Sequence, residues 1–278
     1  MSGNSKKVWK KWVLISLGIA ILAVWLAYAT VFFTRLNRGG GDILTPEVER
    51  LAKKEIQEEW FALYQHGNRI GYSRSELRPQ PVGYMVNEEL LLRLDFLGEV
   101  QDISSWVQAN LEPDFSVKSF VFRLQAGPIY YRLQGGVEEG NLILVSQMAG
   151  QEQNQKRPLS HPIYLSSGMK SFISQQPLAV GNTYRLALFD PATMSQTMVP
   201  LHVEEKETVR ISSRDLEAYR VVMDFRGVQL KSWVSPYGEL LKEEGFLGLT
   251  MVRSDREDAL KGFGEAKGAE LVLSLIHI

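Results

Sequence analysis

Between residues 58 and 254 apolar and polar side chains alternate in short runs, the period-two signature of strands with one buried and one solvated face. Residues 60–65 and 69–77 flank His66, Gly67 and Asn68, where glycine and asparagine tolerate positive φ and so suit a hairpin. Residues 82–96 put Tyr84, Val86, Leu90, Leu92, Leu94 and Phe96 on one face, and the run is long enough to imply a curved sheet. Residues 100–110, 116–124, 129–134 and 141–147 continue the meander, with Gly135 to Gly140 read as a connecting turn. The polar stretch 149–158 predicts an exposed loop. Residues 161–176 do not alternate and predict a short helix through Met169, Phe172 and Ile173, capped by Ser166, Ser167 or Gly168 and folded across the sheet. Alternation resumes at 183–189, 197–206, 209–211, 216–225, 228–234, 239–244 and 249–253. About eleven strands with short connections favour antiparallel neighbours. The expected fold is mainly β: a curved antiparallel sheet, an open or half barrel, with one or two short helices.

Upstream the period disappears. Twenty-one uncharged residues, 13–33, follow Lys6, Lys7, Lys10 and Lys11. As a helix they would extend about 31 Å, close to the hydrocarbon thickness of a bilayer. The basic residues ahead of the run predict a cytoplasmic N-terminus and a single-pass anchor in the inner (cytoplasmic) membrane, with the main domain periplasmic or extracellular. Trp9, Trp12 and Tyr28 suit the interfacial belts. The rival reading is a cleaved secretory signal ending at Ala27 and Ala29, but Val31, Phe32 and Phe33 would then open the mature chain with apolar surface. Both readings export the domain. Thr45, Pro46 and Glu47 suit a helix start after the flexible Gly39 to Gly41, and the narrow apolar stripe behind them suits a spacer. The expected organisation is a cytoplasmic basic segment (1–12), a membrane anchor contacting the lipid bilayer (13–34), a juxtamembrane linker with a short helix (35–57), an extracytoplasmic β domain (58–254) and a charged, glycine-bearing linker and tail (255–278).

The charge balance, 31 basic against 32 acidic residues, gives no general attraction to nucleic acid. Cysteine is absent, which removes disulfides, thiolate metal sites and a cysteine nucleophile from these residues. His66, His161 and His202 show no spacing that sets two ligands on one face, so no metal is expected. Adjacent glutamates recur, as at Glu88–Glu89 and Glu204–Glu205, but neighbours on a strand point to opposite faces and cannot flank one bond as acid and base. Nucleophile elbow, phosphate loop and dinucleotide fingerprint are all missing. No catalytic residue and no cofactor is therefore assigned. The aromatic residues Trp60, Trp106, Tyr130, Phe172 and Trp233 fit either an ordinary core or the lining of an apolar concavity.

The residues also carry a resemblance. Trp60 and Tyr64, followed by Asn68-Arg69-Ile70-Gly71-Tyr72, look like the opening of a bacterial envelope domain that precedes transglutaminase-like, papain-type modules in membrane-anchored proteins. Val180-Gly181-Asn182-Thr183-Tyr184 and Trp233-Val234-Ser235-Pro236-Tyr237-Gly238-Glu239 are similar to its closing half. The resemblance implies a sheet like the open barrels of lipoprotein carriers, with a concave apolar face. It also implies that any catalytic cysteine, histidine and aspartate lie beyond residue 278. Residues 273–278 resemble a translated sequencing adaptor, which fits a natural chain that continues. Two functions stay open: a non-catalytic module that binds or positions an envelope protein or peptide substrate for a downstream enzyme, and a stand-alone envelope carrier that holds a lipid or other apolar ligand.

Overall fold

The structure, a computed structural model, describes residues 56–96, 99–166, 172–173, 176–225, 228–245 and 248–263. The chain divides into two units, Met1–Gly41 and Asp42–Ile278, and the described residues all belong to the second. The basic segment 1–12, the anchor 13–34, most of the linker 35–57 and the tail past residue 263 lie outside the described residues. Among the described residues no helix is long and apolar enough to cross a membrane.

Among the described residues fourteen strands form one sheet. They are β1 (Gln57–Gln65), β2 (Asn68–Pro79), β3 (Tyr84–Phe96), β4 (Glu99–Leu111), β5 (Val117–Ala126), β6 (Ile129–Glu138) and β7 (Asn141–Met148). The remainder are β8 (Gln151–Pro158), β9 (Thr183–Asp190), β10 (Ser195–Ile211), β11 (Arg214–Phe225), β12 (Val228–Val234), β13 (Leu240–Glu244) and β14 (Leu249–Ser254). Neighbours run in the order 8-7-6-5-4-3-2-1-14-13-12-11-10-9. The chain thus starts in the middle of the sheet, meanders out to β8, crosses to the far edge at β9 and meanders back. The last strand returns to the first, antiparallel, from Trp60 opposite Ser254 to Gln65 opposite Leu249.

The sheet curls until its inner face meets itself. Phe120 on β5 and Phe189 on β9 lie 5.5 Å apart, centroid to centroid. Ten strand spacings separate those strands in the sheet, a distance of roughly 48 Å if it were flat. One core joins Phe61, Val86, Ala109, Leu133 and Leu144 from one meander to Leu186, Val199, Leu201 and Val221 from the other. The edges nearly close: Arg157 of β8 donates to the Met194 carbonyl at 2.6 Å, just past β9, and the Tyr131 hydroxyl to that of Pro191 at 3.4 Å.

The crossing segment straps the two meanders together. Ile163 accepts from the Val117 amide at 2.8 Å, while Tyr164 donates to Ala187 at 2.9 Å and accepts from Phe189 at 2.8 Å. Ile163, Tyr164, Leu165, Phe172 and Ile173 are all buried in the core, and Ser166, Phe172 and Ile173 are helical, so this segment does fold across the sheet. By pairing in parallel with β9 at Tyr164 and Leu188 the strap also covers an otherwise open edge. The other edge, β8, is guarded by its sequence, QEQNQKRP.

The sheet holds fourteen strands against the expected total of about eleven, and three differences redraw the strand limits. The polar 149–158 stretch forms β8 instead of a loop, because an edge strand solvated on both faces needs no apolar alternation. β6 runs on through Gly135 and Gly136 to Glu138, and the turn falls at Glu139 and Gly140, both at positive φ. β10 is one seventeen-residue strand, which passes through a bulge between Val203 and Glu205. A fourth difference lies at the start of the predicted linker: Asp255 caps a helix, Arg256–Leu260, by accepting from the Asp258 amide at 2.8 Å.

Gly135 is present because its cross-strand partner Phe120 lies over it. A Cβ there would stand 2.2 Å from Phe120 Cε1, and that ring is 2% exposed and cannot retreat. At Gly136 the nearest atom to such a Cβ is 3.9 Å away. Gly135→Ala is expected to lower the unfolding free energy by about 1–3 kcal/mol through overpacking, and Gly136→Ala to change it by no more than about 0.5 kcal/mol. Urea denaturation of both variants measures this, and equal effects would remove the steric explanation.

Candidate functional site

The inner face has two ends of different character. At the strap end it is filled: Leu111, Phe115, Val117, Leu142 and Ile163 are each 3% exposed or less, and Tyr84 stacks on Phe115 at 4.4 Å. At the other end register puts Leu90 between Ser73 and Ser105, and Leu92 between Gly71 and Ile103. Ser73 stands opposite Phe61, a core residue, so these side chains share the inner face. Leu90, Leu92, Leu94 and Ile103 are nevertheless only half-buried, and none belongs to a core cluster. Leu124, Leu230 and Met251 continue the apolar wall and pack against the core beneath. The cause is the strap, which plugs one end of the curl and leaves the inner wall at the other partly open.

Glu59, Glu88 and Glu243 lie on this inner face, each with a partner. Arg253 donates to Glu59 at 2.9 Å, Ser75 to Glu88 at 3.4 Å and Ser232 to Glu243 at 2.9 Å. The wall is therefore apolar with a few engaged acceptors, an arrangement that suits a ligand with a long apolar part. His66, His161 and His202 stand on three separate elements, and among the described residues no group of three metal-binding side chains converges. Glu204 and Glu205 depart from the rule that strand neighbours diverge. The bulge in β10 brings both to Arg220, Glu204 at 3.0 Å, and Arg220 also binds Glu207 at 3.2 Å. One arginine ties the three carboxylates together, which makes this a structural cluster.

The five aromatics do not share a surface. Phe172 alone faces the interior, fully buried in the strap. Trp60 lies on the outer face with Tyr72 and Leu91, beneath the helix residue Ala259. Arg69 clamps that helix by donating to the Asp258 carbonyl at 3.1 Å and to that of Ala259 at 2.5 Å. Trp233 belongs to a second outer cluster with Ile211, Ala218 and Leu241, and its indole donates to Glu207 at 2.8 Å. Trp106 is half-buried on the outer face between Glu89 and Arg123, and Tyr130 is 50% exposed beside Gln125. Residue type alone did not show which side of the sheet each ring takes. The half-buried leucines of β3 were visible in the 82–96 alternation only as one face of a strand.

Two tyrosines mark where the curl closes. Burial, then the charge of Asp190, pushes the Tyr131 phenol up to about 12. Burial, then Asp114, does the same to Tyr164, also to about 12.

No family model matches the chain, and no curated protein matches it. Among solved structures it is similar to a crystal structure from Brucella abortus described as a β-barrel-like protein of a domain of unknown function, DUF1849. The TM-score is 0.52 at 12% identity, over 77% of this chain and 98% of that one. At that identity the likeness shows the fold: mainly β, an open barrel-like sheet. It overturns the resemblance to the envelope domain of transglutaminase-like proteins, which rested on turn residues and strand aromatics that many curled sheets share.

The raised phenol values fix a pH dependence. Tyrosine ionises near 10 in the unfolded chain and near 12 here, so this contribution to stability is complete below about pH 10 and is lost as pH rises through about 12. The urea midpoint is expected to hold from pH 7 to 9 and fall between 10 and 12. Changing Tyr131 and Tyr164 together to Phe should flatten part of that fall, and an unchanged profile would show that neither ionisation is coupled to unfolding.

Proposed function

We propose that this protein is a carrier-type binder that holds a lipid or other ligand with a long apolar part against the inner wall of its curled sheet, at the end away from the strap. One observation carries the reading: Leu90, Leu92, Leu94 and Ile103 sit on the inner face of a nearly closed barrel yet stay half-buried outside its core. Covering such a surface is worth about 25 cal/mol for each Å² removed from water. The barrel-like neighbour supports the architecture. The uncharged run 13–33 supports a second part of the proposal, that the domain is exported and tethered to the membrane, next to a source of such ligands. Positioning an envelope protein or peptide is the second reading, and nothing in the inner wall favours it over an acyl chain.

The test is retention and exchange of apolar ligand by the full chain in neutral detergent. Native mass spectrometry should find a co-purified lipid, and the uncharged probe N-phenyl-1-naphthylamine should bind saturably. Leu92→Glu places a charge on the inner wall and is expected to weaken probe binding at least tenfold, about 1.4 kcal/mol. Trp106→Ala, on the outer face, should leave it unchanged. A ligand-free preparation that binds no probe would refute the proposal, and so would equal binding by both variants.

A further inference from the structure

Charges that face one another across the outer face are paired or bridged: Glu58 stands opposite Glu76, but Arg74 binds both, at 2.7 and 3.0 Å. Arg74 stands opposite Glu89, Arg93 opposite Asp102 and Arg220 opposite Glu205, and each pair forms an ion pair. Arg123 on β5 instead faces Arg132 on β6. Like charges directly opposite on neighbouring strands repel. Nothing in the row around them cancels the repulsion. On the β4 side Arg123 meets Trp106, with its guanidinium over the indole at 4.8 Å. On the β7 side Arg132 meets Gln147 and donates to its side-chain oxygen at 3.5 Å and to that of Gln134 at 3.3 Å. The carboxylates at the ends of the row are taken: Glu89 by Arg74 at 3.3 Å, and Glu152 by the Gln147 amide at 2.8 Å. Arg123 Nε is buried with no hydrogen-bond partner, and the guanidinium is held over the Trp106 ring.

We infer that Arg123 and Arg132 form a binding site for a phosphate group on the outer face. Two guanidinium forks at adjacent cross-strand positions present paired donors to a tetrahedral oxyanion and would be neutralised by it. Trp106 holds the Arg123 plane against the sheet, leaving its outward edge to the ligand. Gln134 and Gln147 orient Arg132 without removing its charge, as a glutamate at either position would. The site lies on the face opposite the half-buried leucines and does not rest on what the inner wall binds.

The full chain in neutral detergent tests this. Inorganic phosphate, followed by ³¹P line broadening and calorimetry, should bind saturably, and Arg123→Gln and Arg132→Gln should each weaken it at least tenfold. Phosphate should raise the melting temperature of the parent protein and of neither variant. In phosphate-free buffer Arg132→Gln should melt no lower than the parent, because it removes a repulsion; a purely structural arginine would lower the melting temperature in both buffers and overturn the inference. Glycerol 3-phosphate and a monomeric short-chain phosphatidic acid separate the sources. Equal affinity assigns a soluble phosphate ester, and a tenfold preference for the lipid assigns a headgroup. Failure of phosphate to bind, or binding by both variants as tight as the parent's, would sink the site. Leu92→Glu should leave phosphate binding untouched, which keeps this result separate from that of the inner wall.

Discussion

The pairing of the first strand with the last holds the domain together as one sheet. Without the β1–β14 ladder, the run from β2 to β8 and the run from β13 to β9 would be two separate meanders, each with a raw edge. The ladder works because both strands are buried where they meet: Phe61 and Leu63 turn to the inner face, Trp60 and Ala62 to the outer, and all four are at most 8% exposed. A strand apolar on both faces is stable only when something covers the second one. Here the capped helix Arg256–Leu260 does so, with Ala259 fully buried beside Trp60 and Tyr72. The segment that reads as a charged linker is thus part of what lets β1 occupy the centre.

Curling follows from the strap as much as from the strands. A right-handed twist bends any long sheet, but the strap's hydrogen bonds to Val117, Ala187 and Phe189 tie β5 to β9 across the interior. Because it is anchored near one end of the strands, the filled core lies there, and the leucines of β3 at the other end have less to pack against. The partly open wall and the plug that makes it have one cause.

On the outside, the solved problem is charge. The outer face carries many arginines, and cross-strand carboxylates answer Arg74, Arg93 and Arg220. Arg74 alone takes Glu58, Glu76 and Glu89; burial, which would lower its pKa, is outweighed by the hydrogen bond it donates to Glu58 and by the three negative charges. In such a surface an arginine facing an arginine breaks a local rule, and broken local rules concentrate where a protein does something besides fold.

Alternation along the chain determined the class of fold, the antiparallel order of neighbours and the position of most strands, because a half-buried strand must repeat every two residues. It could not reveal β8, which is solvated on both faces, nor carry β6 past Gly135, whose lack of a side chain is explained only by Phe120 on the next strand. The bulge that puts Glu204 and Glu205 on one arginine is likewise invisible to a rule of two. The aromatic residues were legible as important and illegible as to side, since Trp60, Trp106 and Trp233 face outward while Phe172 faces in. Which strand closes on which, which end the strap fills and which arginine meets an unlike charge all join residues distant in sequence. Those choices belong to the tertiary structure because register between strands, and not the order of residues within one, sets them.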